Sequence, residues 1–265
     1  MNIADHSFIF VGGLHRSGTS LFAKCLSDHP AISGFENTGA IEDEGQHLQS
    51  VFPRAMDYGG PGGFGFAKAM HLTEVSMLAT EANQERLWSE WSRYWDLNLR
   101  HLLEKSPPNL TKSRFLQALF PNTRFIFLLR HPVAVASATK KWAQHTPLDR
   151  LIEHWAVCHE ILGEDLPHLE HARVILYRDF VREPERILED TFRFIGLGHI
   201  QVKREFRSDV NNAYFENWAK WREEFFAGWS IRKAERRLEA RVNELGYSVV
   251  DPRLEMPSPW PLVSG

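Results

Sequence analysis

The sequence predicts an α/β fold in three layers, with a central parallel sheet covered by helices on both faces. Three observations carry this. Short, continuous apolar runs recur between helical stretches, the pattern of strands buried on both sides. The first of them, Ser7 to Val11, breaks into Gly12-Gly13 and then into a helical pattern from Thr19. Later runs end in cations, Lys105 after the run from His101 and Arg130 after the run from Arg124. In a parallel sheet ligands bind outside the carboxyl ends of the strands, so cations there belong to a site rather than to the core.

The first break reads Gly13-Leu14-His15-Arg16-Ser17-Gly18-Thr19-Ser20. Strand, glycine turn and helix start together build a pocket of backbone N–H groups at the positive end of a helix, which suits an anion. Gly13-x4-Gly18 followed by Thr19-Ser20 has P-loop spacing, so the expected fold is of the P-loop type. A nucleotide triphosphatase needs lysine after the second glycine. Thr19 stands there, and the cation is Arg16, inside the loop. The loop is therefore expected to hold a phosphate-like group without splitting ATP.

The remaining elements follow in order. Thr19 to Leu26 is a helix with Leu21, Phe22, Cys25 and Leu26 on one side, closed by Asp28-His29-Pro30. Residues 34–75 hold too much glycine for a long regular element and read as a surface excursion or lid beside the loop, with Gly59 to Gly65 the densest run. Glu81 to Trp95 is a helix whose Trp88, Trp91 and Trp95 read as core. His101 to Glu104 is a strand stopped by Lys105-Ser106-Pro107-Pro108, and Leu110 to Phe120 a helix. Arg124 to Leu129 is the most strand-like run and passes through Arg130-His131-Pro132 into a helix. Helices at Leu148 to Leu162, Pro184 to Ile195 and Ile231 to Leu245, and a strand at Arg173 to Tyr177, complete the pattern. One domain is expected over 1–250, with a Pro-rich tail over 251–265.

Composition narrows the function. A chain of 265 residues can bury one large core. A net charge of -3 lacks the basic excess of a nucleic-acid binder and leaves room only for a local basic pocket. Cys25 and Cys158 make no disulfide framework, and Cys25 reads as a buried small hydrophobe. No apolar run approaches the ~18 residues of a membrane span, and Phe8 to Val11 leads into the glycine loop rather than a cleavage site. A cytoplasmic enzyme is the expectation. His154 and His159 do not share a helix face as a metal pair would, and no metal is expected.

With these residues in view, the chain resembles the sulfotransferases that use 3'-phosphoadenosine 5'-phosphosulfate (PAPS). Gly13 to Ser20 is similar to that family's 5'-phosphosulfate loop, and Phe125 to Thr139 to its 3'-phosphate segment. Lys105-Ser106-Pro107 resembles the Lys-x-Pro of tyrosylprotein sulfotransferases. Val174-Ile175-Leu176-Tyr177-Arg178-Asp179-Phe180, then Pro184 and Phe194-Ile195-Gly196, is similar to a further family segment. The resemblance implies PAPS as donor and a small-molecule, glycan or peptidyl hydroxyl as acceptor. It implies that His15, Arg16, Ser17, Gly18, Thr19 and Ser20 meet the 5'-phosphosulfate, with Arg16 also catalytic. Arg130 and a nearby hydroxyl meet the 3'-phosphate, and Lys105 the transferring group. The family serine falls on Ala138 here, so Ser137 and Thr139 both stand as that hydroxyl. The aromatic that many members place after the loop is Leu21.

Transfer to a hydroxyl also needs a base. Glu36, in Gly34-Phe35-Glu36-Asn37, is the first choice, His47 the second because imidazole titrates in the useful range, and Glu44 the third. A P-loop small-molecule kinase and a non-catalytic nucleotide-binding module are the alternatives.

Overall fold

The computed structural model describes residues 2–262. In chain order its strands and α-helices are β1 (Ser7–Gly13), α1 (Thr19–Ser27), β2 (Ile32–Gly34), α2 (Glu81–Trp91), β3 (His101–Lys105), α3 (Ser113–Leu119), β4 (Thr123–Leu129), α4 (Pro132–Thr139), α5 (Leu148–Asp165), β5 (Ala172–Leu176), α6 (Tyr177–Arg182), α7 (Pro184–Ile195), α8 (Val210–Glu223) and α9 (Phe225–Glu244). The strands form one parallel sheet in the order β2-β3-β1-β4-β5.

Strand alternation builds the three layers. Phe8, Phe10, Leu102, Phe125, Phe127 and Val174 point into one core, where Trp91, Phe115 and Trp155 join them. Ile9, Val11, Leu103, Ile126, Leu128 and Ile175 point into the other, with Phe22, Phe180 and Phe192. Because β1 lies between β3 and β4, the chain leaves the sheet in opposite directions beside β1, and a crevice opens at its carboxyl end. The glycine loop occupies that crevice.

Three expectations change. The 34–75 segment is not a lid. It runs through 3-10 turns that bury Ala55, Phe64 and Met70 completely or nearly so, because its few large apolar residues have a core to enter. The Gly65 N–H donates to His154 Nε2 at 3.0 Å, which pins the densest glycine run to α5. The tail is also held: Trp260 is buried and donates to the Leu245 carbonyl at 3.1 Å, and the Val174 N–H donates to the Pro261 carbonyl at 2.8 Å, on the open edge of β5. Residues 263–265 of that segment lie outside the described residues. Third, Tyr177 opens α6 instead of ending a strand.

Trp91 and Trp95 are core residues, as their spacing predicts, although α2 ends before Trp95. Both cysteines are buried. No helix among the described residues is long and apolar enough to cross a membrane.

Candidate active site

β1 delivers the loop. Ser17 closes it on itself, its N–H donating to the Leu14 carbonyl at 3.0 Å and its Oγ accepting from the Leu14 N–H at 3.2 Å. Arg16 has φ 71° and Gly18 φ 97°. Left-handed backbone at both positions turns the chain so that α1 starts directly at Thr19, leaving the N–H groups of its first turn free of intrahelical partners. A Cβ at Gly18 would stand 2.7 Å from the Tyr177 ring, so that position needs glycine twice over. The loop faces a cavity of about 320 Å³ lined by residues including His15, Arg16, Glu44, Arg130, Trp142 and Tyr177. Exposed Arg16 lies 5.0 Å from the Trp142 ring.

β3 delivers the lysine. Its register pairs Lys105 with Val11, the residue before the glycine loop. Lys105 is 6% exposed, and its Nζ donates to Ser20 Oγ at 3.2 Å, the Glu42 carbonyl at 3.0 Å and Glu44 Oε1 at 3.0 Å. An ammonium has three N–H donors, and these contacts use all of them. Glu44 is equally buried, and its other oxygen accepts from Gln46 Nε2 at 2.5 Å.

β4 delivers the arginine. Arg130 Nη1 donates to the Arg16 carbonyl at 2.9 Å and Nε to Asn211 Oδ1 at 2.9 Å. The guanidinium stacks 4.2 Å from Tyr177 and 5.2 Å from Tyr214. Nη2 is buried with no partner among the described residues. Burial pulls the Arg130 pKa below its ordinary value, partly offset by the two tyrosines. Of the two candidate hydroxyls, Ser137 Oγ is buried and has no partner among the described residues, whereas Thr139 lines a small separate cavity with Leu14, Gly62 and His154.

The base candidates separate. Glu36 is exposed and lines a second cavity, of about 310 Å³, with Lys24, Asp43 and Arg204; Ser20, Glu42 and Lys105 also bound it. His47 stands behind Glu44, Nε2 to Oε2 3.8 Å. Burial lowers its pKa against the opposing pull of Glu44. Only Glu44 of the three touches Lys105 and lines the loop cavity. His15, also in that cavity, is pulled down to about 3 by burial and then by Lys105 and His47, so it is neutral at pH 7.

Sequence reasoning missed Asn211 and Tyr214, because they lie on α8, far along the chain from the strand ends, and reach Arg130 only across the fold. It missed Trp142, which follows α4 on an irregular segment, and Gln46, whose N–H is held across the fold by Ser106 Oγ.

Fold and site thus define an α/β protein with a P-loop-like turn at the end of β1, flanked by Arg16, Lys105 and Arg130. A family model described as "Sulfotransferase family" matches residues 8–201, and the chain belongs to that family. It is 23% identical over 199 residues to protein-tyrosine sulfotransferase 2 of Gallus gallus, covering 71% of this chain and 51% of the relative, so it spans about half that protein's length. Among solved structures it is similar to the sulfotransferase STF1 of Mycobacterium tuberculosis H37Rv, with a TM-score of 0.51 and 16% identity over 81% of this chain and 72% of that one. A sulfotransferase from Alicyclobacillus acidocaldarius gives a TM-score of 0.47 and 21% identity over 87% and 95%.

Proposed function

We propose that the chain transfers a sulfuryl group from PAPS to an acceptor hydroxyl, with Glu44 as general base. The observation that carries this is the Lys105 ammonium, buried between Ser20 of the loop helix and the Glu44 carboxylate. A cation and a carboxylate in contact at the mouth of an anion loop pair the two tasks that transfer to a hydroxyl requires, stabilising anionic oxygens and accepting a proton.

The residues suit PAPS. The loop and α1 terminus offer N–H donors to the 5' end, and Arg130 Nη2, in the same cavity, is a buried donor that a 3'-phosphate would satisfy. PAPS would supply the activated sulfuryl group: the acceptor oxygen bonds to sulfur as the S–O bond to the 5'-phosphate breaks, and 3',5'-adenosine bisphosphate (PAP) leaves. Arg16 holds the PAPS oxygens, joined by Lys105 once its ammonium exchanges the Ser20 or Glu42 contact for them; Arg130 orients the nucleotide, and the tyrosines on either side of Arg130 keep water from it. Glu44 takes the acceptor proton. Its carboxylate is held by Lys105 on one oxygen and Gln46 on the other, so it meets the acceptor already oriented.

Calorimetric titration with PAP and Mg-ATP, followed by labelled sulfuryl transfer from PAPS to a panel of phenols and sugars, tests the reading. Tighter binding of PAP together with transfer supports it. Preference for Mg-ATP would indicate a kinase, and PAP binding without transfer to any hydroxyl class a binding module.

A further inference from the structure

We propose that Glu104 is a positioning residue that holds the Glu44–Gln46 turn from inside the core and so fixes the Glu44 carboxylate against Lys105. This rests on Glu44 being the base.

Adjacent residues of a strand point to opposite faces. Lys105 faces α1, where its Nζ meets Ser20. Glu104 therefore faces the layer that holds Phe10 and Trp91, and it is 1% exposed there. A carboxyl group in that position is costly unless it is fully bonded. Its bonds all lead to the site. Oε1 accepts from the Gly45 N–H at 2.9 Å and from Ser106 Oγ at 2.5 Å. Ser106 Oγ accepts in turn from the Gln46 N–H at 3.0 Å. Oε2 accepts from Asn109 Nδ2 at 2.5 Å, and the same nitrogen donates to the Val11 carbonyl at 3.1 Å, just before the glycine loop.

One buried carboxylate thus ties two consecutive amides of the base-bearing turn to the strand that ends in the anion loop. The turn accepts the grip closely: a Cβ at Gly45 would stand 2.5 Å from Glu104 Oε1. Trp91 Nε1 closes the other side by donating to the Gly45 carbonyl at 3.1 Å. Gln46, whose N–H is held through Ser106, passes the constraint on through its side chain to Glu44 Oε2. Burial raises the Glu104 carboxyl to about 7, with Glu44 pushing the same way and the Ser106, Asn109 and Gly45 donors opposing.

The test uses Glu104→Gln, which keeps the shape, and Ser106→Ala, which removes only the Gln46 arm should the first variant fold poorly. Exchange of the backbone amides of residues 42–48, followed by mass spectrometry, should quicken roughly tenfold or more while β1 and β4 stay protected. PAP affinity should stay within about twofold, and turnover with an acceptor from the panel should fall roughly tenfold. In a Glu44→Gln background the same substitution should leave the residual rate unchanged, because a residue acting through Glu44 has nothing left to position. Unchanged exchange, or an equal rate loss in both backgrounds, overturns the proposal. Full turnover in Glu44→Gln alone, with the exchange result standing, removes the base itself and reduces Glu104 to a structural clamp.

Discussion

Replacing Lys105 with methionine should separate catalysis from binding more cleanly than any other single change. The side chain keeps its length and loses its charge. In the resting protein that charge is bonded to Ser20, the Glu42 carbonyl and Glu44, with Lys105 and Glu44 both about nine-tenths or more buried. Two costs follow. Leaving Glu44 buried without its cation destabilises the fold by ~3–5 kcal/mol, the usual loss when one partner of a buried pair is removed. Loss of a preorganised donor from the reacting oxygens adds ~2.7–4 kcal/mol to the barrier, a fall in turnover of roughly 10²–10³-fold. PAP lacks the sulfuryl group, so its affinity should change little. The stability cost can be removed independently by adding Glu44→Gln, which neutralises the stranded carboxylate. Calorimetry with PAP, urea unfolding and single-turnover transfer from PAPS measure the three quantities. Equal losses in PAP affinity and turnover would make Lys105 a ground-state clamp, and unchanged turnover would refute its role outright.

Arg130→Ala should weaken PAP by about ten- to a hundredfold, the loss of a charge-assisted hydrogen bond, and leave nucleotides without a 3'-phosphate unaffected; equal weakening of both in calorimetry would remove the 3'-phosphate assignment. Glu44→Gln should lower turnover by ~10²–10⁴-fold with PAP binding retained, while Glu36→Gln and His47→Ala stay within about tenfold of the parent; the reverse ranking across one pH series would return the role to Glu36 or His47. Acid should unfold the protein early. His15, His131 and His154 are pulled down to about 3 and His159 to about 4, each mainly by burial. The unfolded chain then binds more protons below an ordinary histidine pKa of ~6.5, so stability is present above that pH and is lost as pH falls, by ~1.4 kcal/mol per pH unit for each such histidine. Glu104, raised to about 7, runs the other way and offsets part of this. A urea midpoint that stays flat between pH 6.5 and 5 would contradict it.

What the sequence revealed and what it hid divide along a physical line. β1, β3 and β4 were legible because strands buried on both faces are continuous apolar runs, and their ends were legible because a glycine pair, Lys105 and Arg130 have no business in a core. Parallel pairing then brings those ends together without further information: Val11 opposite Lys105, and Gly13 opposite Leu128, two residues before Arg130. The proposed base was harder because it sits on a segment with no periodicity. The resemblance makes Glu36 the nearest carboxylate to the expected place, but nothing in local sequence says that Glu104 and Ser106 reach out from the end of β3 to hold Gly45 and Gln46. Gly45 is the place where a buried carboxylate approaches the backbone too closely for any side chain. Asn211 and Tyr214 were hidden for a related reason, since α8 meets Arg130 through polar and aromatic contacts made far across the chain. A chain of this fold therefore announces its anion-holding groups at strand ends. It conceals the proposed proton acceptor, Glu44, in the loop that β3 holds from behind.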